Sequence, residues 1–327
     1  MCTGGLGLAC TVPVFRYALD RWESDAFRLV VPASWMTDRE KLKLLVPLRG
    51  NGEANVTVEE SPDPAMTTAK LLFPHDGTAL WEGELQPASL SELLDSPLRQ
   101  DLLRRLLAGD SVVWVVATAA EQKGEVERIA ARLRFLEQVA VLPTQDPNDP
   151  DSKLGPGPPL ALRFSVLPLS LDDPAEQILA ALLAGPEHAD FVANGTPFTA
   201  AVFGRGRVLG AWALDEIDDV GIEDASLFLT GRCSCRVKNE NPGWDLLMKV
   251  DWERSLEEVD AREEVDAREP SPELGEATTF PVTDTVVMSP AVASTTPSSP
   301  QPAWLRAAGI VGVLVLLVAG WRLWCIR

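Results

Sequence analysis

Apolar and polar positions follow several different rhythms along this chain, and each rhythm predicts an element. Ser111 to Thr118, SVVWVVAT, is apolar almost throughout, the pattern of a strand buried on both faces. Asn55 to Glu59, NVTVE, alternates instead, as a strand with one solvated face does. Arg28 to Val31 and Arg163 to Leu169 read as further strands. Lys70 to Phe73 and Leu80 to Leu85 flank Pro74-His-Asp-Gly77 and predict a hairpin. Phe198 to Phe203 and Arg207 to Ala213 predict a second hairpin around Gly204-Arg-Gly206.

Helical spacing governs the stretches between these strands. Asp38 to Val46 places Leu42, Leu45 and Val46 on one face, and Glu121 to Gln138 does the same with Val126, Ile129, Leu133 and Leu136. Ser89-Leu-Ser-Glu92 reads as a capping box. Pro97 restarts a leucine-rich helix behind Ser96, and Gly109 ends it. Asp173-Pro174 opens another helix that runs to Gly185, and Gly221 to Thr230 closes the series. Val141 to Pro159 is expected to be a loop.

The last stretch differs from all of these. Ala307 to Trp321, AAGIVGVLVLLVAGW, carries no charge, and about 20 residues of helix at roughly 1.5 Å each cross a hydrocarbon core. Trp304, Trp321 and Trp324 stand where interfacial aromatics belong, and Arg322 is placed to snorkel. A single transmembrane helix is therefore expected over residues 304–326, with the lipid bilayer as a partner. Arg322 and Arg327 follow the span whereas Arg306 alone precedes it closely, so the C-terminus is expected to be cytoplasmic and the bulk extracytoplasmic, in a bacterial cell membrane. Gly7-Leu8-Ala9-Cys10 is similar to a degenerate lipobox, which leaves two readings of residues 1–21 open. Either the true start lies upstream and Cys10 is lipidated, or a short disordered N-terminus precedes a tail-anchored protein.

Charge adds to this organisation. The chain of 327 residues carries a net charge of -19, which makes nucleic acid a poor partner. Glu257 to Arg262 is repeated in Glu263 to Arg268, a six-residue period that matches no heptad, and this segment is expected to be weakly constrained. Residues 277–302 are rich in Ser, Thr and Pro and read as a solvated spacer. The expected order is an N-terminal segment (1–21), two α/β domains (22–109 and 110–250), a disordered linker (251–303) and the membrane helix.

Written as types, the second half is β-α-β-α-β-β-α. Strands joined by right-handed helical crossovers are parallel, and a tight hairpin is antiparallel. With Val192-Ala-Asn-Gly-Thr-Pro197 leading into the hairpin, this order resembles the thioredoxin fold, and the first half resembles a shortened copy. The resemblance implies a cis proline at Pro197 and a face, formed by Thr196, Pro197 and Phe198, that binds an extended chain. It would also imply a Cys-x-x-Cys at the start of the first helix. Here those places read Ser34-Trp-Met-Thr37 and Ala117-Thr-Ala-Ala120, without cysteine, so the dithiol chemistry of the family is not expected. The leading expectation is a non-catalytic scaffold that needs no cofactor and binds a membrane or envelope protein.

Other chemistry has weaker support. Cys233 and Cys235, near Arg232, Arg236 and Lys238, are read first as cysteines of which one or both pack against the sheet, with a redox pair or a Cu(I) site as the alternatives. The two histidines, His75 and His188, lie far apart beside turn residues and lack a metal-ligand spacing. Gly204-x-Gly206-x-x-x-Gly210 falls in a hairpin, where no dinucleotide site is expected. After Asn241-Pro-Gly243, the apolar residues Trp244, Leu246, Leu247 and Met248 are expected to fold back as a strap over the second domain.

Overall fold

The computed structural model describes residues 11–48, 54–119, 123–146, 149–233 and 237–268. Its first sheet has the order β2-β1-β3-β4. Strand β1 (Phe27–Val31) lies parallel to β2 (Val56–Glu60) and antiparallel to β3 (Ala69–Leu72), which turns back into β4 (Ala79–Gly83). Helix α2 (Arg39–Leu45), capped by the Asp38 carboxylate, makes the crossover that two parallel strands require. Phe27, Leu29 and Val31 point to the interior. The opposite face carries the Arg28–Glu59 pair at 2.8 Å, with both side chains 41% exposed, so this sheet is solvated on one side.

The second sheet has the order β6-β5-β7-β8-β9. Strand β5 (Val112–Thr118) runs parallel to β6 (Phe164–Ser170) and antiparallel to β7 (Phe198–Phe203). Strand β8 (Arg207–Ala213) completes the hairpin, and β9 (Trp244–Asp245) adds to its outer side. Every residue of β5 from Val112 to Ala117 is buried, as its unbroken apolar run requires.

Helices α3 (Pro87–Leu94), α4 (Pro97–Leu107) and α6 (Gln177–Ala184) fill the space between the sheets. One apolar cluster runs from Leu29 and Leu71 through Leu102 and Leu183 to Val113, Val115 and Ala200, so the two halves share an interior. A second cluster covers the far side of the second sheet. There Trp114 and Val116 meet α5 (Lys123–Val139) and α8 (Asp219–Thr230). Arg128 and Arg132 of α5 pair with Asp219 and Glu223 of α8. Asn55 joins the first sheet to the C-terminal strap. Its side-chain amide donates to the Leu246 carbonyl at 3.0 Å, and its oxygen accepts from the Met248 amide at 2.8 Å.

Arg99 is the most deeply placed cation of this interior. Its guanidinium donates to the carbonyls of Glu92 at 2.7 Å and Leu93 at 2.8 Å, which are orphan acceptors at the end of α3. Burial pulls its pKa down to about 10, against the opposing charges of Asp95 and Glu176. It therefore remains a cation at neutral pH.

Two segments expected to be loose are helical instead. Residues 14–21, part of the N-terminal segment expected over 1–21, form helix α1 (Val14–Arg21), which buries Val14, Phe15 and Ala18 in the second cluster. The Cys233 amide donates to the Val12 carbonyl at 3.0 Å, and Arg16 and Asp20 form a buried pair at 2.9 Å. Eight residues are too short to declare a helix by periodicity. The approach of α1 depends on Gly204, where a Cβ would lie 2.7 Å from the Ala18 Cβ.

The acidic duplication is the second correction. It lies in helix α9 (Trp252–Arg268), not in the disordered linker expected from residue 251 onward. Trp252 and Leu256 are buried and anchor this helix, and Arg254 pairs with Glu258 at 2.9 Å on its exposed side. A helix held by one buried turn tolerates any downstream period, which is why the repeat length was uninformative.

Smaller differences are local. The capping box of α3 is formed by Gln86 and Ser89, one turn earlier than Ser89-Glu92, because Pro87 starts the helix. A short helix α7 (Ala189–Asn194) was not expected at all. Among the described residues no helix is long and apolar enough to cross a membrane. Residues 304–326, Cys10 and the Ser/Thr/Pro-rich spacer lie outside them.

Candidate functional site

A sheet edge exposes backbone donors and acceptors, and proteins guard such edges with charge, proline or cover. The edges of this chain differ in their guards. Strand β2 carries Glu59 and Glu60, β4 carries Glu82, and β6 is interrupted by Pro168. Strand β8 is covered by β9 only where Arg207 faces Asp245 and Val208 faces Trp244. Beyond Val208, the stretch Leu209-Gly-Ala-Trp-Ala213 has no neighbour on its outer side among the described strands. It contains neither charge nor proline.

This edge opens into a cavity of about 600 Å³. Its walls come from four places: the β3–β4 turn (Pro74, His75, Asp76), the segment after α6 (Pro186, Glu187, His188), the edge itself, and the strap (Pro242, Gly243, Trp244). Two tryptophans flank the edge on opposite faces of the sheet. Trp212 belongs with the second cluster and stacks on Trp114 at 5.8 Å. Its ring lies so close to Gly210 that a Cβ there would approach it to 2.9 Å. Trp244 belongs with the first cluster, and its indole N–H donates to the Leu182 carbonyl at 2.8 Å. His188 stacks on Phe191 with ring centroids 4.7 Å apart. These contacts fix the walls before any ligand arrives.

A charged network underlies the strap. The Arg207 guanidinium donates to Asp245 at 3.1 Å and to the carbonyls of Asn241 and Gly243 at 3.1 and 2.9 Å. Lys238 bridges Asp245 and Asp25, and His75 Nε2 lies 2.8 Å from the second oxygen of Asp25. Burial alone would push the Asp25 carboxyl up. Hydrogen bonds and charge from Lys238 and His75 outweigh it and hold the group below its ordinary value. Asp76 is likewise held low: hydrogen bonds from Thr78 and the His75 charge overcome its desolvation.

The residues expected to act are placed as follows. Thr196 and Pro197 are half-buried just before β7, but Phe198 has no exposed surface and packs on Phe191. The Thr196–Pro197 peptide is trans, not the cis bond that the resemblance implied. Phe198 thus supports the sheet from inside. Cys233 is 1% exposed within the second cluster, the setting of a packed cysteine, and Cys235 lies outside the described residues. His75 and His188, unrelated in sequence, line the same cavity. The only signal that joined them was a proline directly or closely before each, at Pro74 and Pro186. Among the described residues no cluster of His, Cys, Asp and Glu has the makings of a metal site.

No protein-family model matches this sequence, and a search of curated proteins finds no relative.

Proposed function

We propose that this protein is a membrane-tethered, non-catalytic scaffold that captures an extended segment of a membrane or envelope protein along the open edge of β8. One observation carries the reading: Leu209 to Ala213 is an uncharged, uncovered edge in a chain whose other described edges are guarded. A strand added there gains main-chain hydrogen bonds, and its side chains meet a cavity whose wall includes Trp212 and Trp244. The scaffold is read as two thioredoxin-like sheets. This is supported by the strand orders, which in both halves place two parallel strands beside an antiparallel hairpin. The tether is read from the apolar residues 304–326, which would seat the chain in a bacterial cell membrane with its C-terminus in the cytoplasm.

The test is photocrosslinking of the full-length chain in native membranes from a benzophenone at Leu209, combined with hydrogen exchange. The expected result is one discrete partner, together with slower exchange of the amides of residues 209–213. Loss of both is expected in a Gly210→Pro variant. Crosslinks scattered over unrelated neighbours, with no change in exchange at β8, would sink the reading.

A further inference from the structure

Resting on this capture reading, we infer that the segment taken up at β8 carries a cationic side chain, Lys or Arg, on the face it turns toward the cavity. The charges of the wall are one-sided. Lys238 pairs with both Asp25 and Asp245, and Arg207 with Asp245, so two cations meet two carboxylates beneath the strap. His75 is engaged by Asp25. The cavity wall carries the carboxylates of Asp76 and Glu187 beside the imidazoles of His75 and His188, with no Lys or Arg among the lining residues. Asp76 stays ionised through its Thr78 hydrogen bonds, and Glu187 is exposed at the rim.

The aromatic wall acts in the same direction. Trp244 and His188, the latter stacked on Phe191, line the same cavity as the two carboxylates. An indole face attracts a cation, most strongly a flat guanidinium, and gives nothing to an anion. Trp212 lines the same cavity but packs with the second cluster, and its ring suits an apolar side chain. Successive residues of an added strand point to opposite faces. The fitting segment therefore alternates a cation with apolar residues, and acidic segments are rejected by like charge.

The test uses the full-length protein in detergent and three blocked octapeptides of Thr and Val whose central pair is Arg-Arg, Gln-Gln or Glu-Glu. The pair is doubled so that one member faces the cavity in either register. Binding is followed by fluorescence anisotropy. Arg-Arg is expected to bind about ten-fold tighter than Gln-Gln at low salt, with Glu-Glu weakest, and the gap should narrow as salt rises. In an Asp76→Asn/Glu187→Gln variant, Arg-Arg should come within about two-fold of Gln-Gln measured on the same variant. Equal binding of Arg-Arg and Gln-Gln to the wild type overturns the cation preference and leaves edge capture standing. A preference that survives in the double variant also overturns it, because the overall charge then explains it. Failure of all three peptides to bind overturns edge capture and this inference together.

Discussion

Arg207 and Asp245 meet at 3.1 Å with almost no exposed surface, and their pair sets the point at which the edge of β8 becomes open. The same guanidinium holds three carbonyls of the turn at residues 241–243, so one side chain pins the strap against the strand. Removing one member of a buried pair strands the other in low dielectric. Asp245→Ala is therefore expected to destabilise the protein by about 3–5 kcal/mol, and Asp245→Asn by clearly less. Urea unfolding monitored by tryptophan fluorescence checks this, and a loss under about 1 kcal/mol for Asp245→Ala would contradict it.

The network also has an acid limb. The folded-state pKa of Asp25 lies below its unfolded value, so the stabilisation from its ionised form is complete above that unfolded value and fades as pH falls through the folded one. The window thus lies below about pH 4. Asp25→Asn should flatten the decline of stability in that window and leave a pH-independent loss above it. Parallel curves for the two proteins below about pH 4 would refute this assignment.

Gly243 turns the chain into β9 at φ +102°, and a Cβ there would lie 1.9 Å from the Val208 carbonyl oxygen. Gly243→Ala meets both a forbidden backbone region and a backbone clash, which no side-chain rotation relieves. Release of β9 from β8 is expected. The readout is the Leu246 amide, which donates to the Gly206 carbonyl at 2.9 Å and should lose its protection from exchange. Unchanged protection in the variant would mean that the strap is held without this turn.

In α9 the two ends should respond differently. Trp252→Ala removes a buried ring and is expected to destabilise the protein by about 3–5 kcal/mol. Deleting the second hexapeptide, residues 263–268, leaves the anchors Trp252 and Leu256 in place and should change stability by no more than about 0.5 kcal/mol. Thermal and chemical unfolding of both variants compares them directly. A large loss on deletion would show that the repeat has a packing role.

Elements that bury a strong periodic pattern were legible from the chain alone. The apolar run at β5, the hairpin Phe198–Phe203 with Arg207–Ala213, and the caps at Ser96 and Asp173 are local consequences of residue type. Helix α1 was not legible, because its eight residues are helical only once the second cluster and the bare Gly204 give them a surface to fold against. The same holds for α9, where two buried side chains outweigh an uninformative acidic repeat. The thiol pair drew attention by its residue type; Cys233 is buried in the second cluster, and Cys235 lies outside the described residues. The cavity drew none, since its wall is assembled from four distant segments that carry no shared motif.

By itself, the order of apolar and turn residues determined which segments become strands and helices, because those preferences act within one or two turns of chain. Only the tertiary structure decided which edge stays open and which charges remain unpaired beside it. Both depend on where a strap from residues 237–250 comes to rest, and that is set by Arg207, Asp245 and Asn55 meeting across long stretches of sequence.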